Sequence, residues 1–484
     1  AVVTPAGGAE AEPISRNHLL QTLGLSGNGP PLGKRFRGHD IGVCVIDSGL
    51  QHIDDIDGLR EFRDFTRGGV RVAPFDDFGH GTHVTGIVAS ADKHSHGLYR
   101  GLAPEVKIVA LKVLDANGAG LTSAVLEAID FAVDNRERLG IDIINLSLGH
   151  PIYEPADSDP LVGAVERAVA AGIVVVASAG NLGTNPVTGE VGYAGLTSPG
   201  NAASAITVGA LDTHGTASRL DDDVAPFSSR GPTWYDGYAK PDLVAPGARL
   251  LSSAALDGSI ARERSSALVR SDDNKPRYLR MSGTSMAAAV TTGVVALVLD
   301  ANHRAFPKGP GLTPNAVKAI LEYTAIPLPE ADELTQGVGG VNAGGAIHLS
   351  EVIDTSAPIG SAWISEPIIA ASRIAGDELD WAQRIVWGDR IVWGNRIVWG
   401  NTFLDYNLPA WSQRIVWGNA EGDEGASFGV FAERIVWGER IVWGERIVWG
   451  NRIVWGNDAV EYDVDANRIV WGNLCTISQL CVPE

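Results

Sequence analysis

The chain has 484 residues, 45% of them hydrophobic and 20% charged, enough apolar material for a sizeable core and too much for a disordered polymer. With 58 Asp and Glu against 38 Lys and Arg the formal net charge is −20, an acidic balance that argues against nucleic acid or an anionic membrane as the main partner. No apolar run is expected to reach the ~18 residues a membrane-spanning helix needs, and the length suits one large domain with an appendage.

Residues 1–37 are rich in Gly, Pro and small side chains and read as an extended arm with one short helix near 17–23. No charged-then-apolar leader precedes them, so a signal and a pro-segment are expected to be absent from this chain. From 38 to 350, short β-branched runs at 41–46, 107–112, 141–147 and 173–179 alternate with helical patterns at 122–138 and 161–171. The strand runs are nearly continuous in apolar residues rather than alternating, as in strands covered on both faces. An α/β fold follows, with a mostly parallel sheet between helical layers. Cys44 falls inside the first run and is expected to be a buried thiol.

Three segments in this region place a reactive side chain at a strand end or helix start. Asp47 ends the strand Val45-Ile46-Asp47 before Ser48-Gly49, His80 opens Gly79-His80-Gly81-Thr82-His83-Val84, and Ser285 lies in Ser282-Gly283-Thr284-Ser285-Met286-Ala287. A serine hydroxyl is a weak nucleophile that needs a base, and the base needs a carboxylate to fix its tautomer and stabilise the imidazolium. Asp, His and Ser fill those roles, and a helix start aims backbone N–H groups at the charge that develops on the substrate carbonyl. A lone Asp-Ser-Gly is usually only a turn, so the weight lies on the three together.

In order and context these motifs resemble those of subtilases, whose triad runs Asp, His, Ser. The resemblance implies a subtilisin-like three-layer fold, a serine endopeptidase acting on protein or peptide substrates through an acyl-enzyme, and no cofactor for the chemistry. It implies that Asn181, after the strand Val176-Ala177-Ser178-Ala179, helps hold the oxyanion. It places Gly118, Gly120, Ser147, Leu148 and Gly149 on two segments that flank the substrate as strands, and Gly192 at the base of the pocket before the scissile bond, leaving room for a large apolar residue. Asp54 resembles a calcium ligand, so structural calcium is an expectation. Where the family carries a proline four residues after the nucleophile, this chain has Ala289. His83 is expected to be structural, since no zinc-peptidase spacing accompanies it.

Residues 351–380 read as a linker. Beyond them Arg-Ile-Val-Trp-Gly occurs nine times, starting at Arg384, Arg390, Arg396, Arg414, Arg434, Arg440, Arg446, Arg452 and Arg468, and Trp381 to Trp417 keep one six-residue phase. Ile and Trp would share one face of a strand and Arg and Val the other, so a β-rich repeat region over 381–484 is expected. Its candidate partners are the cell envelope, a polysaccharide or another copy of the chain, beside a purely structural stack. Cys475 and Cys481 would suit a short disulfide in an oxidising compartment, in keeping with a secreted or cell-surface protein.

Overall fold

The computed structural model describes residues 18–26, 32–185, 187–387, 397–399 and 407. The apolar run after Ile41 becomes strand β1 (Gly42–Asp47), buried along its whole length. Successive side chains of a strand point to opposite faces, and β1 shows the consequence. Val43 and Val45 join one core with Val84, Met286 and Val290, while Cys44 and Ile46 join another with Val125, Ile129, Leu161 and Val165. Burial pushes the Cys44 thiol pKa well above its ordinary value, as expected for an inert core cysteine.

The strands β2 (Leu59–Asp64), β3 (Lys107–Lys112), β4 (Ile143–Leu146), β5 (Val174–Ser178), β6 (Ile206–Asp212) and β7 (Leu243–Pro246) complete a parallel sheet in the order 2-3-1-4-5-6-7. Two-residue strands, Val70–Arg71 and Asp223–Val224, add to it antiparallel. On one face lie α1 (His80–Ala89) and the long α4 (Thr284–Ala305), with α5 (Pro314–Thr324) and α6 (Ala343–Val352). On the other lie α2 (Thr122–Asp134) and α3 (Pro160–Ala170). Asp159 caps α3 by accepting from the N–H of Leu161 at 2.8 Å, with Pro160 at the first helical position, and Thr313 with Pro314 does the same for α5. Both are sequence-readable starts.

Two expectations change. Helix α4 is 22 residues long with mean hydropathy 1.6 over its most apolar window, long and apolar enough to span a membrane, yet that window is wholly buried in the protein. The sequence estimate missed it because Thr, Asp300 and Asn302 break the apolar run without changing its average. The segment expected as a linker is packed structure. Strands β8 (Ala371–Ile374) and β9 (Asp377–Asp380) form a hairpin, and Trp363, Ile374, Leu379 and Trp381 are buried. The chain then continues into β10 (Ile385–Trp387), which pairs antiparallel with β11 (Ile397–Trp399). The rest of the repeats, Cys475, Cys481 and most of the N-terminal arm lie outside the described residues.

Beneath β7 is a buried charge cluster. Asp242 holds the ammonium groups of Lys240 at 2.7 Å and Lys318 at 3.0 Å, and all three side chains are almost wholly removed from solvent. Its second role is backbone fixation, since the same carboxylate accepts from the N–H of Thr207 at 2.7 Å. Burial pulls the Lys240 pKa down to about 8, against the attraction of Asp242.

Candidate active site

The carboxyl ends of parallel strands are where α/β sheets build their sites, and β1 ends there in Asp47. Asp47 Oδ1 lies 2.7 Å from His80 Nδ1 and accepts the N–H of Ser48 at 2.7 Å. The imidazole is therefore fixed with Nδ1 toward the carboxylate. His80 Nε2 has no hydrogen-bond partner among the described residues. His80 and Asp47 are both about 98% buried or more, so this pair is shielded from bulk water.

The close approach of α1 to the Asp47 turn has two causes. Gly81 sits where any Cβ would overlap the carbonyl of Gly49 and press on the Asp47 Cβ. Asp76, which the sequence reading missed, ties the start of α1 to that turn. Its Oδ1 accepts from Ser48 Oγ (2.8 Å) and Gly79 N–H (2.7 Å), its Oδ2 from Thr82 N–H (2.8 Å) and Thr82 Oγ1 (2.7 Å). Ser48 Oγ in turn accepts from Gly81 N–H at 2.8 Å. Lys112, opposite Asp47 on β3, donates to Ser48 O (2.7 Å), Leu114 O (2.6 Å) and Asp77 Oδ1 (2.6 Å), so a buried ammonium braces the same turn.

Helix α4 packs against α1 and carries Ser285 in its first turn. The hydroxyl donates to Ser147 O at 3.1 Å, and Ser147 Oγ donates to Ser285 O at 2.9 Å. Ser147 Oγ accepts from Asn145 Nδ2 (2.9 Å), whose Oδ1 accepts from Thr292 Oγ1 (2.9 Å). The chain of bonds returns to α4 two turns on, fixing the serine turn against the end of β4.

Asn181 follows β5. Its Oδ1 accepts from the N–H of Thr284 at 2.9 Å and from Thr284 Oγ1 at 3.2 Å, and Thr284 Oγ1 accepts from Gly180 N–H at 3.1 Å. With the oxygen committed, the amide NH₂ is the end left for another acceptor, one residue from Ser285.

The remaining expected residues divide. Gly118, in the left-handed region at φ 76°, faces the Phe78 ring, which lies 6.4 Å from the His80 ring; Gly120 abuts Val113 O. Leu148 packs on the core and Gly149 is exposed. The strand after Gly149, His150–Pro151, pairs with Thr197–Ser198, and a Cβ at either Gly149 or Gly180 would run into Thr197. Thr197 thus occupies the space between the two segments. Gly192 donates its N–H to Gly183 O at 3.0 Å, beside the segment that follows Asn181, and the space a Cβ would take there is open, with Leu182 O at 3.9 Å as its nearest neighbour among the described residues. The segment Thr197-Ser198-Pro199-Gly200 leading into β6 was the signal missed.

Asp54 lies elsewhere, 2.8 Å from His94 Nε2 and 3.8 Å from Arg277, with Asp55 beside them. Calcium takes a cage of oxygen ligands. A carboxylate facing an imidazole and a guanidinium does not fit that cage, so these residues do not fit calcium at Asp54. His83 donates from Nε2 to Leu279 O at 2.9 Å, and burial lowers its pKa to about 3. It is a neutral interior histidine, as expected.

The description "Subtilase family" belongs to the family model that matches residues 38–349. The chain belongs to the subtilase family. It is 40% identical over 318 residues to Serine protease AprX of Bacillus subtilis, a match spanning 64% of this chain and 67% of the relative. It is 32% identical over 309 residues to Subtilisin DY of Bacillus licheniformis (63% and 90%) and 31% over 333 residues to an Intracellular serine protease of Paenibacillus polymyxa (67% and 86%). The subtilase domain is accordingly a subtilisin-like serine endopeptidase, and the repeats lie beyond the matched residues.

Proposed function

We propose that this subtilase cleaves peptide bonds with Ser285 as nucleophile and His80 as general base and then acid. Asp47 orients the imidazole, and Asn181 NH₂ with Ser285 N–H stabilises the oxyanion. What carries the reading is the buried imidazole held by Asp47 through Nδ1 with Nε2 unpartnered among the described residues, on the helix packed against the serine helix. For reaction the Ser285 hydroxyl leaves Ser147 O and gives its proton to Nε2 as Oγ bonds to the carbonyl carbon. His80 then protonates the departing amine, and water repeats the sequence on the acyl-enzyme. Gly118 to Gly120 and Ser147 to Gly149 flank the bound peptide as strands.

A fluorescent fluorophosphonate, which phosphonylates only an activated serine, is expected to label the full chain at Ser285 and to label neither Ser285→Ala nor His80→Ala. Labelling of His80→Ala at the wild-type rate would exclude His80 as the base.

The pocket before the scissile bond takes an apolar residue whose size Thr197, rather than Gly192, limits. Support comes from Thr197 filling the space between Gly149 and Gly180. Thr197→Gly is expected to raise kcat/KM for Phe relative to Ala at that position by about tenfold, the scale of a few buried carbons. Gly192→Ala should leave the ratio alone, and the reverse pattern in p-nitroanilide assays would move the pocket to Gly192. Action outside the cell is supported by Cys475 and Cys481, which would suit a disulfide in an oxidising compartment; one relative is named as an intracellular enzyme, so family likeness does not itself set the compartment.

A further inference from the structure

The first repeat unit is seated on the peptidase domain. Ile385 and Val386 are 0% and 7% exposed and belong to the same core as α5 and α6. The N–H of Val386 donates to the buried Glu322 of α5 at 2.6 Å, and Arg384 pairs with Glu333 at 2.6 Å. Just upstream, Ala382 N–H donates to Ala325 O (2.7 Å) and Gln383 N–H to Tyr323 O (2.9 Å), while the Trp381 ring stands edge-on to Tyr323 at 6.3 Å. The contacts made by the unit itself use Arg, Ile, Val and one backbone N–H, and all of these recur in the eight further copies. The seated unit also pairs with the third copy, Ile385 opposite Trp399 and Trp387 opposite Ile397, so the motif recognises itself through its backbone as well.

We propose that the surface formed by the end of α5 at Glu322 and Tyr323 together with Glu333 is a recognition site for the Arg-Ile-Val-Trp motif, filled by the chain's own first unit and open to a repeat from a second copy of this chain. The tail is then a string of ligands for the peptidase domain that carries it and for its neighbours. The tethered unit has an effective concentration in the mM range, so exchange between chains shows only where the local copy is disfavoured or outnumbered. Swapping an identical element between protomers is a low-cost route to association.

The test uses the full chain carrying Ser285→Ala, so that added peptide is not cleaved. Adding Glu333→Lys sets like charge against every native Arg copy. A labelled peptide of two units with Glu replacing each Arg, Glu-Ile-Val-Trp-Gly-Asn-Glu-Ile-Val-Trp-Gly, is expected to bind this chain about fivefold more tightly than the chain with Glu333 intact, the scale of one exposed pair. A scrambled peptide should bind neither. Equal binding to both chains, or no preference over the scrambled peptide, overturns the site. Independently of any change at 333, sedimentation of the Ser285→Ala chain, taken to concentrations that approach the mM effective concentration of the tethered unit, is expected to show association that Arg-Ile-Val-Trp-Gly peptide in excess of that concentration dissolves. A monomer at every concentration, or association indifferent to the peptide, overturns the second copy as partner.

Discussion

Ser285→Ala is expected to lower kcat on a peptide substrate by ~10⁶, the size of the corresponding loss in subtilisin. In the proposed mechanism the hydroxyl is the atom that bonds to the carbonyl, and the groups around it act as a unit. Its hydrogen bond to Ser147 O, the Asp47–His80 pair and the turn held by Asp76 and Lys112 prepare one event. Ser285→Ala combined with His80→Ala should therefore be no slower than either alone. Asn181→Ala is milder by the same logic: it removes one donor that meets charge only in the transition state, costing ~10²–10³ in kcat with KM nearly unchanged. A double variant far slower than the singles, or an Asn181→Ala enzyme affected only in KM, would sink this assignment of roles.

Asp242→Asn carries the largest expected cost in stability. Two buried ammonium groups share this carboxylate, and removing one partner of a buried ion pair costs ~3–5 kcal/mol because charge is left unpaired. The midpoint of thermal unfolding should fall by several degrees. Lys240→Met in the Asp242→Asn background should regain part of the loss, since it removes the stranded charge and keeps its apolar stem. If the double variant is less stable than Asp242→Asn alone, the cluster is held by its bonds to Ala205 O and Thr207 N–H rather than by charge pairing.

The sheet and its layers were legible because β1, β3, β4 and β5 are nearly continuous in apolar residues rather than alternating, the mark of burial on both faces. Asp47, His80, Ser285 and Asn181 could be put forward as candidates because each sits where a strand ends or a helix begins, and the structure pairs Asp47 with His80 and Asn181 with the turn before Ser285. Asp76, Lys112 and Thr197 were not legible, since their importance comes from partners distant in sequence: Asp76 from the turn at 48 and the helix at 82, Thr197 from glycines at 149 and 180. Gly192 drew attention for its missing side chain, and the open space beside it next to the 181–183 segment is compatible with that expectation. The packed hairpin at 371–380 was hidden by its short strands, whose buried positions, Ile374 and Leu379, lie among charged and polar neighbours.

Helix α4 puts Ser285, the proposed nucleophile, at the tip of the most apolar long segment described. In the folded enzyme the sheet, α1 and α6 cover it from every side. In a newly made or denatured chain nothing does, and the segment then resembles one that partitions into a bilayer or a neighbouring chain. Yield of active enzyme from denaturant is thus a race between wrapping this one helix and losing it to aggregates, a race that dilution favours.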